Sequence, residues 1–392
     1  MIDLKGKVAV VGYGESLIGK YPSKTTRELA LEVAKMAIEK AGISKKEIDG
    51  VITTHSFGDP EYTADSGIGV ISTELGIYPK FHTHIFSGGA TTCVSLKMIA
   101  GMIYTGQLNA ALIIAADNWG SAPLELMIDF MATTNHPEWE VPYGFYMNGA
   151  LALMTRRYMY ETGTTPEQLA SVCVSNRKWA ALKPNAMFRK PLTIDEVLRS
   201  KMVCEPLHAF ECNVLADGAA ALLVTSAQRA RELISTPVYI LGMGGQFASS
   251  FKCQTADITT YGLKEAGKAA YQMAEITPKD VDIAELYDAY SVIPLISLED
   301  LGLCARGKAG KFVQEGHTWP GGDLPMTTNG GMLSQGHAGV GGGMLLHVEA
   351  VQQLMGKAES ERQVNGAQIA LVTGSSGIWN DGQVIIYGRE VS

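Results

Sequence analysis

The chain has 392 residues and a mass of 42.0 kDa, more than one ordinary domain, so two or three units are expected. Hydrophobic residues at 46% against 18% charged supply enough apolar surface for large cores, which excludes general disorder. A net charge of −8, from 32 basic and 40 acidic side chains, argues against a nucleic-acid scaffold.

Residues 8–11 form a short apolar run closed by Gly12, which reads as a first strand rather than a signal peptide. Gly12-Tyr13-Gly14 begins like a dinucleotide fingerprint, but Leu17 stands where the third glycine belongs and the motif fails. Leu29, Val33, Met36 and Ala37 then recur at helical spacing, with Thr25 and Glu28 as a capping box and Gly42 as the terminal glycine. Residues 51–54 predict the next strand, 88–105 a helix of small residues, and the run AALIIAA at 110–116 a buried strand. Apolar runs separated by helices imply a parallel sheet covered on both faces.

Residues 118–215 change character, with aromatics, prolines and much of the charge, and read as an insertion carried on the sheet. Regular alternation resumes at Asp217. No run of about 20 residues is free of charged and polar side chains, so no membrane span is expected. The six cysteines (93, 173, 204, 212, 253 and 304) contain no CxxC, and reduced thiols in a cytoplasmic protein are the simplest expectation. Cys204, His208 and Cys212 are spaced by four, but Pro206 spoils a common helical face for a metal. His82 and His84 alternate on a strand and read as satisfied side chains. There is no GxxxxGK[ST] loop and no GxSxG elbow.

An internal repeat organises the rest. ISKKEID at 43–49 reappears as ITPKDVD at 276–282, and each precedes an apolar strand ending in a polar cluster, ITTHS at 52–56 and ELYDAYS at 285–291. Ser87-Gly88-Gly89-Ala90 before a helix is matched by Asn329-Gly330-Gly331 before a glycine-rich loop and helix. The expected architecture is α/β, with two copies of one unit (residues 1–235 and 236–392), the first carrying the insertion.

In layered α/β folds ligands bind where strand ends meet helix starts, which singles out 87–93, 285–291 and 329–343. His337 lies inside the glycine-rich run just before a helix expected at 344–354, where an imidazole can act as general acid–base or polarise an oxyanion. A packing glycine patch with a capping histidine is the bland alternative. Cys93 follows Gly89 by four residues on the expected helix, near its N-terminus, which favours a thiolate nucleophile; a small core residue is the other reading. Tyr287 at a strand end is either a proton-handling group or a packed aromatic. His55 ends the equivalent strand of the first copy and either lines the site or is simply a polar strand end.

The pattern NGG-x-L-x-x-GH-x-G, with the repeat, the SGGATT helix start, the LADGAAALLV segment and the ALVTGSSG strand and loop, resembles the thiolase superfamily over essentially the whole chain. The likeness is strongest to its sterol-carrier-type and lipid-transfer-like members. The resemblance implies thiolase-like duplicated βαβαβ halves in a five-layer α-β-α-β-α core with an inserted loop domain. It implies a homodimer, a coenzyme A thioester as substrate with no bound cofactor or metal, and a small partner subunit with a zinc ribbon and an OB fold.

Carried over by motif, His337 matches the histidine that assists the nucleophile and binds the thioester oxygen. Tyr287 occupies the Asn or His position of the N/H-x-x-F motif, here Tyr287-Asp288-Ala289-Tyr290, and Tyr290 matches its core phenylalanine. Gly88, Gly89, Asn329, Gly330, Gly331 and His55 are the expected binding positions. The family's nucleophilic cysteine is expected near Gly89 and its proton-transfer cysteine near Leu371; neither is present. The leading expectation is therefore an acyltransferase of the thiolase type working through Cys93 and His337. The second is a retro-aldolase using Tyr287 and His337, and the third a non-catalytic acyl-CoA or lipid-binding subunit. Aromatic and methionine residues of the insertion, among them Met127, Phe130, Met131, Trp139 and Tyr146, suit a bulky aromatic or sterol-like acyl group, with plain core or a partner-facing surface as the other reading.

Overall fold

The structure, a computed structural model, describes residues 4–56, 58–59 and 65–391. The side chains of Met127 and Phe130 lie outside the described set. Nine strands form one mixed sheet: β1 (Val8–Glu15), β2 (Ile48–Thr54), β3 (Phe81–Ile85), β4 (Ala110–Asn118), β7 (Asp217–Ser226), β8 (Val238–Phe247), β9 (Ile283–Glu285), β10 (Ile369–Gly374) and β11 (Asp381–Gly388). The two short strands β5 (Met202–Cys204) and β6 (Leu207–His208) pair separately inside the insertion.

The sheet order is β3-β2-β4-β7-β1-β8-β11-β10-β9. Read outward from the β1–β8 seam, each side runs first strand, last strand, fourth strand, second strand. The last strand is antiparallel to its neighbours on both sides, and the second and fourth are parallel. The third strand, β3 in the first half, shrinks in the second to an isolated parallel bridge, Ala284 with Met326. The sheet is thus mixed rather than all parallel, because each half closes with an antiparallel return strand.

The repeat read in the sequence is a repeat of capping chemistry. Ser44 and Glu47 close a capping box around one 3₁₀ turn, and Thr277 and Asp280 close the same box around its counterpart. The preceding helices, Thr26–Ala41 and Leu263–Ala274, both end on a left-handed residue, Gly42 in one and Glu275 in the other. Gly12 and Gly14 explain themselves here. A Cβ on either would come within 2.0 Å of the backbone oxygen of Ala37 or Val33. Gly242 and Gly244 meet the carbonyls of Ala270 and Ala266 in the same way. The Gly-x-Gly pair lets a helix lie directly on its strand, once in each half.

The Thr26–Ala41 helix covers β1, β7 and β4, while Leu263–Ala274 covers β8 and β11. Two further helices, Thr91–Tyr104 and Val340–Met355, pack together between the halves of the sheet, each touching strands of both. Helix, sheet, helix pair, sheet and helix make the five layers that the resemblance implies. Val340–Met355 is buried on nearly every side, while Thr91–Tyr104 keeps a partly exposed edge at Lys97, Gly101 and Tyr104. The insertion adds the helices Leu124–Ala132, Met147–Thr162, Pro166–Leu182 and Ile194–Arg199. No helix among the described residues is long and apolar enough to cross a membrane.

Candidate active site

A cavity of about 530 Å³ opens where the central helices begin, between the two halves and the insertion. Tyr287 and His337 stand on its wall with Gly88 and Gly89. Tyr287 follows β9, and its backbone N–H donates to Thr373 Oγ1 at 2.8 Å. The next residue, Asp288, is fully buried and accepts from the N–H groups of Met332 and Leu333 and from Asn176 Nδ2, tying the strand end to the histidine loop. Burial pushes its carboxyl up to about 7.

His337 is held by its backbone. Its N–H donates to Val214 O at 2.6 Å and its carbonyl accepts from Ala216 N at 3.0 Å, so the end of the insertion is stitched to the histidine loop. The ring packs edge-on against Trp119, with centroids 4.7 Å apart, and stands perpendicular to the Tyr287 ring. His337 Nε2 lies 3.1 Å from the Tyr287 hydroxyl, and Nδ1 has no hydrogen-bond partner among the described residues. Burial lowers the imidazole to about 3 and, with the nearby Asp288 carboxylate, raises the phenol above its usual range. Both groups are neutral at ordinary pH. With the phenol donating to Nε2, the imidazole keeps its proton on Nδ1.

The absence of a cysteine near position 89 has a spatial counterpart. A Cβ built on Gly89 would fall 2.3 Å from the Tyr287 ring and 2.5 Å from its hydroxyl. The phenol from one half occupies the volume that a side chain at the start of the central helix would need.

Cys93 is placed elsewhere. Its Sγ is fully buried 3.4 Å from His347 Nε2, while His347 Nδ1 sits 2.9 Å from the Tyr387 hydroxyl. Burial pushes the thiol up to about 12, and Cys93 does not line the cavity. The four-residue spacing from Gly89 does not put the two on one helical face, because the helix begins at Thr91 with Ala90 as its cap; Gly89 belongs to the turn before it.

The remaining predicted positions divide. Asn329 bonds Gly331 N and Leu345 O, and Gly331 packs against Asp288, so Asn329, Gly330 and Gly331 shape the histidine loop from behind and do not line the cavity. The long helix after the loop starts at Val340, earlier than expected, and only the turn Gly331–Ser334 follows Asn329 directly. His55 packs on Phe86, with centroids 5.0 Å apart, and Phe86 lines the cavity; burial, with the neighbouring His84, lowers its imidazole. Tyr290, expected in the core, is buried there and also lines the cavity. No cluster able to hold a metal occurs among the described residues, Cys204, His208 and Cys212 included.

Trp119, Asn148 and Trp379 are cavity residues that the sequence did not single out. Only Ser375-Ser376-Gly377, after β10, carried a signal, as a polar loop at a strand end.

Fold and cavity define an enzyme of the duplicated α/β class whose site holds a neutral tyrosine–histidine pair suited to carbonyl chemistry. Residues 245–389 match the thiolase C-terminal domain-like family. The chain is 31% identical to an acetyl-CoA acetyltransferase of Methanothermobacter thermautotrophicus, over 97% of this chain and 99% of that one. It is also 31% identical to the 17-hydroxy-3-oxo-4-pregnene-20-carboxyl-CoA lyase of Mycobacterium tuberculosis, over 97% of this chain and all of the other. A solved Ltp2–ChsH2(DUF35) aldolase superposes with a TM-score of 0.85 at 31% identity, covering 98% of each chain. The chain belongs to the thiolase superfamily. It is an enzyme that makes or breaks a carbon–carbon bond in an acyl-CoA thioester.

Proposed function

We propose that this enzyme cleaves a β-hydroxyacyl-CoA between its α and β carbons, releasing an aldehyde or ketone and a shortened acyl-CoA. The observation that carries this reading is the Tyr287 hydroxyl, bonded to His337 and filling the place of a residue-89 side chain. In the reaction the substrate's β-hydroxyl proton passes to the Tyr287 oxygen as the phenol proton moves to His337 Nε2. The Cα–Cβ electron pair becomes the enolate of the thioester, the β carbon becomes the carbonyl, and the imidazolium returns the proton to Cα through the phenol. No charged group is needed at the start, which suits a pair that burial keeps neutral.

A second reading, thiolytic acyl transfer through Cys93, is favoured by the equal identity to the acetyl-CoA acetyltransferase. Incubation with a β-hydroxyacyl-CoA decides between them. Trapping of the released carbonyl as a hydrazone, without consumption of free CoA, supports cleavage. An acyl adduct on the Cys93 peptide in intact-mass analysis, with free CoA consumed from a β-ketoacyl-CoA, overturns it.

The same reading takes coenzyme A as part of the substrate, with no resident cofactor. It treats residues 1–235 and 236–392 as the two units and places the enzyme in the cytoplasm. It also takes the enzyme to be a homodimer joined by a small zinc-ribbon/OB-fold subunit, in line with the partner in the solved aldolase assembly. Light scattering of the chain alone and after mixing with such a subunit tests both associations.

A further inference from the structure

The cavity has a second polar pole. The Trp379 ring stands beside both tyrosines, with its centroid 6.3 Å from Tyr287 and 5.7 Å from Tyr290. Beyond it, the buried Tyr290 hydroxyl donates to Asn148 Oδ1. That bond commits the amide oxygen and fixes which way the group points. The Nδ2 of Asn148 makes no hydrogen bond among the described residues, and both side chains line the cavity. A donor aimed into a cavity and locked by a buried phenol is organised before any ligand arrives. Among the described residues, no Asp, Glu, Lys or Arg lines the same cavity. A charged group on the bound acyl chain would be desolvated there without a partner.

We propose that Asn148 Nδ2 takes a neutral acceptor oxygen, a ketone or hydroxyl, carried on the part of the acyl group that lies past Trp379 from Tyr287. The acyl group itself bears no charge. This rests on the cavity holding the acyl group and is independent of which bond is then made or broken. The substrate class is thus an uncharged cyclic acyl-CoA, apolar against Trp379 and oxygenated at its far end.

The test uses three arylpropanoyl-CoA thioesters without a β-hydroxyl, bearing a para-acetyl, para-ethyl or para-carboxy group, with binding measured by calorimetry. The acetyl compound is expected to bind about tenfold more tightly than its ethyl isostere. The carboxy compound is expected to bind about a hundredfold more weakly than the acetyl one. Asn148→Ala is expected to bind the acetyl and ethyl compounds equally. Tyr290→Phe, which frees the amide without removing it, is expected to reduce the preference less. Equal wild-type binding of the acetyl and ethyl compounds, or tightest binding of the carboxy compound, overturns the proposal. Binding of none of the three overturns it together with the acyl-in-cavity reading. Discrimination as expected, with no β-hydroxy analogue cleaved, supports this proposal and leaves only the aldol reading refuted.

Discussion

The two halves of the sheet share a plan down to paired glycines and paired capping boxes, yet they contribute unequally to the site. The first half offers backbone: Gly88 and Gly89 at the turn before its central helix, with no side chain to react. The second half offers both Tyr287 and His337. Duplication has preserved the packing rules and released the chemistry. Packing constrains every copy of the unit equally, whereas a reaction needs only one set of proton-handling groups. The bare turn is itself a requirement, since the phenol from the other half fills the space in front of it.

The largest effect that sharpens this contrast is expected from Tyr287→Phe, which keeps the ring and removes the hydroxyl. Carbonyl release should fall by about 10²–10⁴-fold with the Tm unchanged. Retention of more than a tenth of the rate would move the chemistry off Tyr287. Gly89→Ala attacks the same point from the first half, and its methyl must displace the ring. It should lose activity comparably and about 1–3 kcal/mol of stability, a cost that should be absent when the same change is made on a Tyr287→Ala background.

The symmetric part of the comparison is tested by Gly12→Ala and Gly244→Ala. Each drives a methyl into a helix carbonyl, at 2.0 Å and 1.8 Å respectively, so each should cost about 3 kcal/mol in urea unfolding. A cost in one half alone would mean that the shared glycines are not equivalent.

A smaller, pH-dependent effect follows from the two buried imidazoles, His337 and His347, both lowered to about 3. Above the unfolded value of about 6.5 neither state binds the proton, and their contribution is fully present. As pH falls from there toward 3, the unfolded chain takes up protons that the native state refuses, so stability declines. The loss should be about 2 kcal/mol per imidazole at pH 5 relative to pH 8, read from urea midpoints. Because the Asp288 carboxyl, raised to about 7, works in the opposite direction over the same window, the imidazole effect is read as the difference between wild type and His347→Gln. A difference that does not change with pH would show that this ring is not held neutral. The smallest effect is expected from Cys93→Ala: turnover unchanged, with about 1–2 kcal/mol of stability lost because His347 Nε2 loses its partner. A parallel loss of turnover would revive the thiol as a reacting group.

Much of the fold was readable because it rests on local chemistry. Thr25 with Glu28 and Gly42 bounded the first helix, and the boxes at 44–47 and 277–280 betrayed the duplication. The second proposed match was misaligned, since the partner of the helix after Ala90 begins at Val340 and not after Asn329. A glycine run signals backbone freedom without saying which glycine starts the helix. Tyr287 and His337 were visible through their motifs. Trp119, Asn148 and Trp379 were not, because they reach the cavity from separate segments and share no spacing. Cys93 shows the limit of helical periodicity: it applies only within the helix, and Gly89 lies two residues before the first helical one, Thr91.

The stitch between Val214–Ala216 and the backbone of His337 has an evolutionary consequence. The insertion builds one side of the cavity, and its closing residues also hold the backbone of His337. Grafting a foreign insertion to change what the enzyme accepts would therefore re-register the His337 ring as well. Selectivity and reactivity share one hinge, and new preferences are more readily reached by single changes within the existing wall than by wholesale exchange.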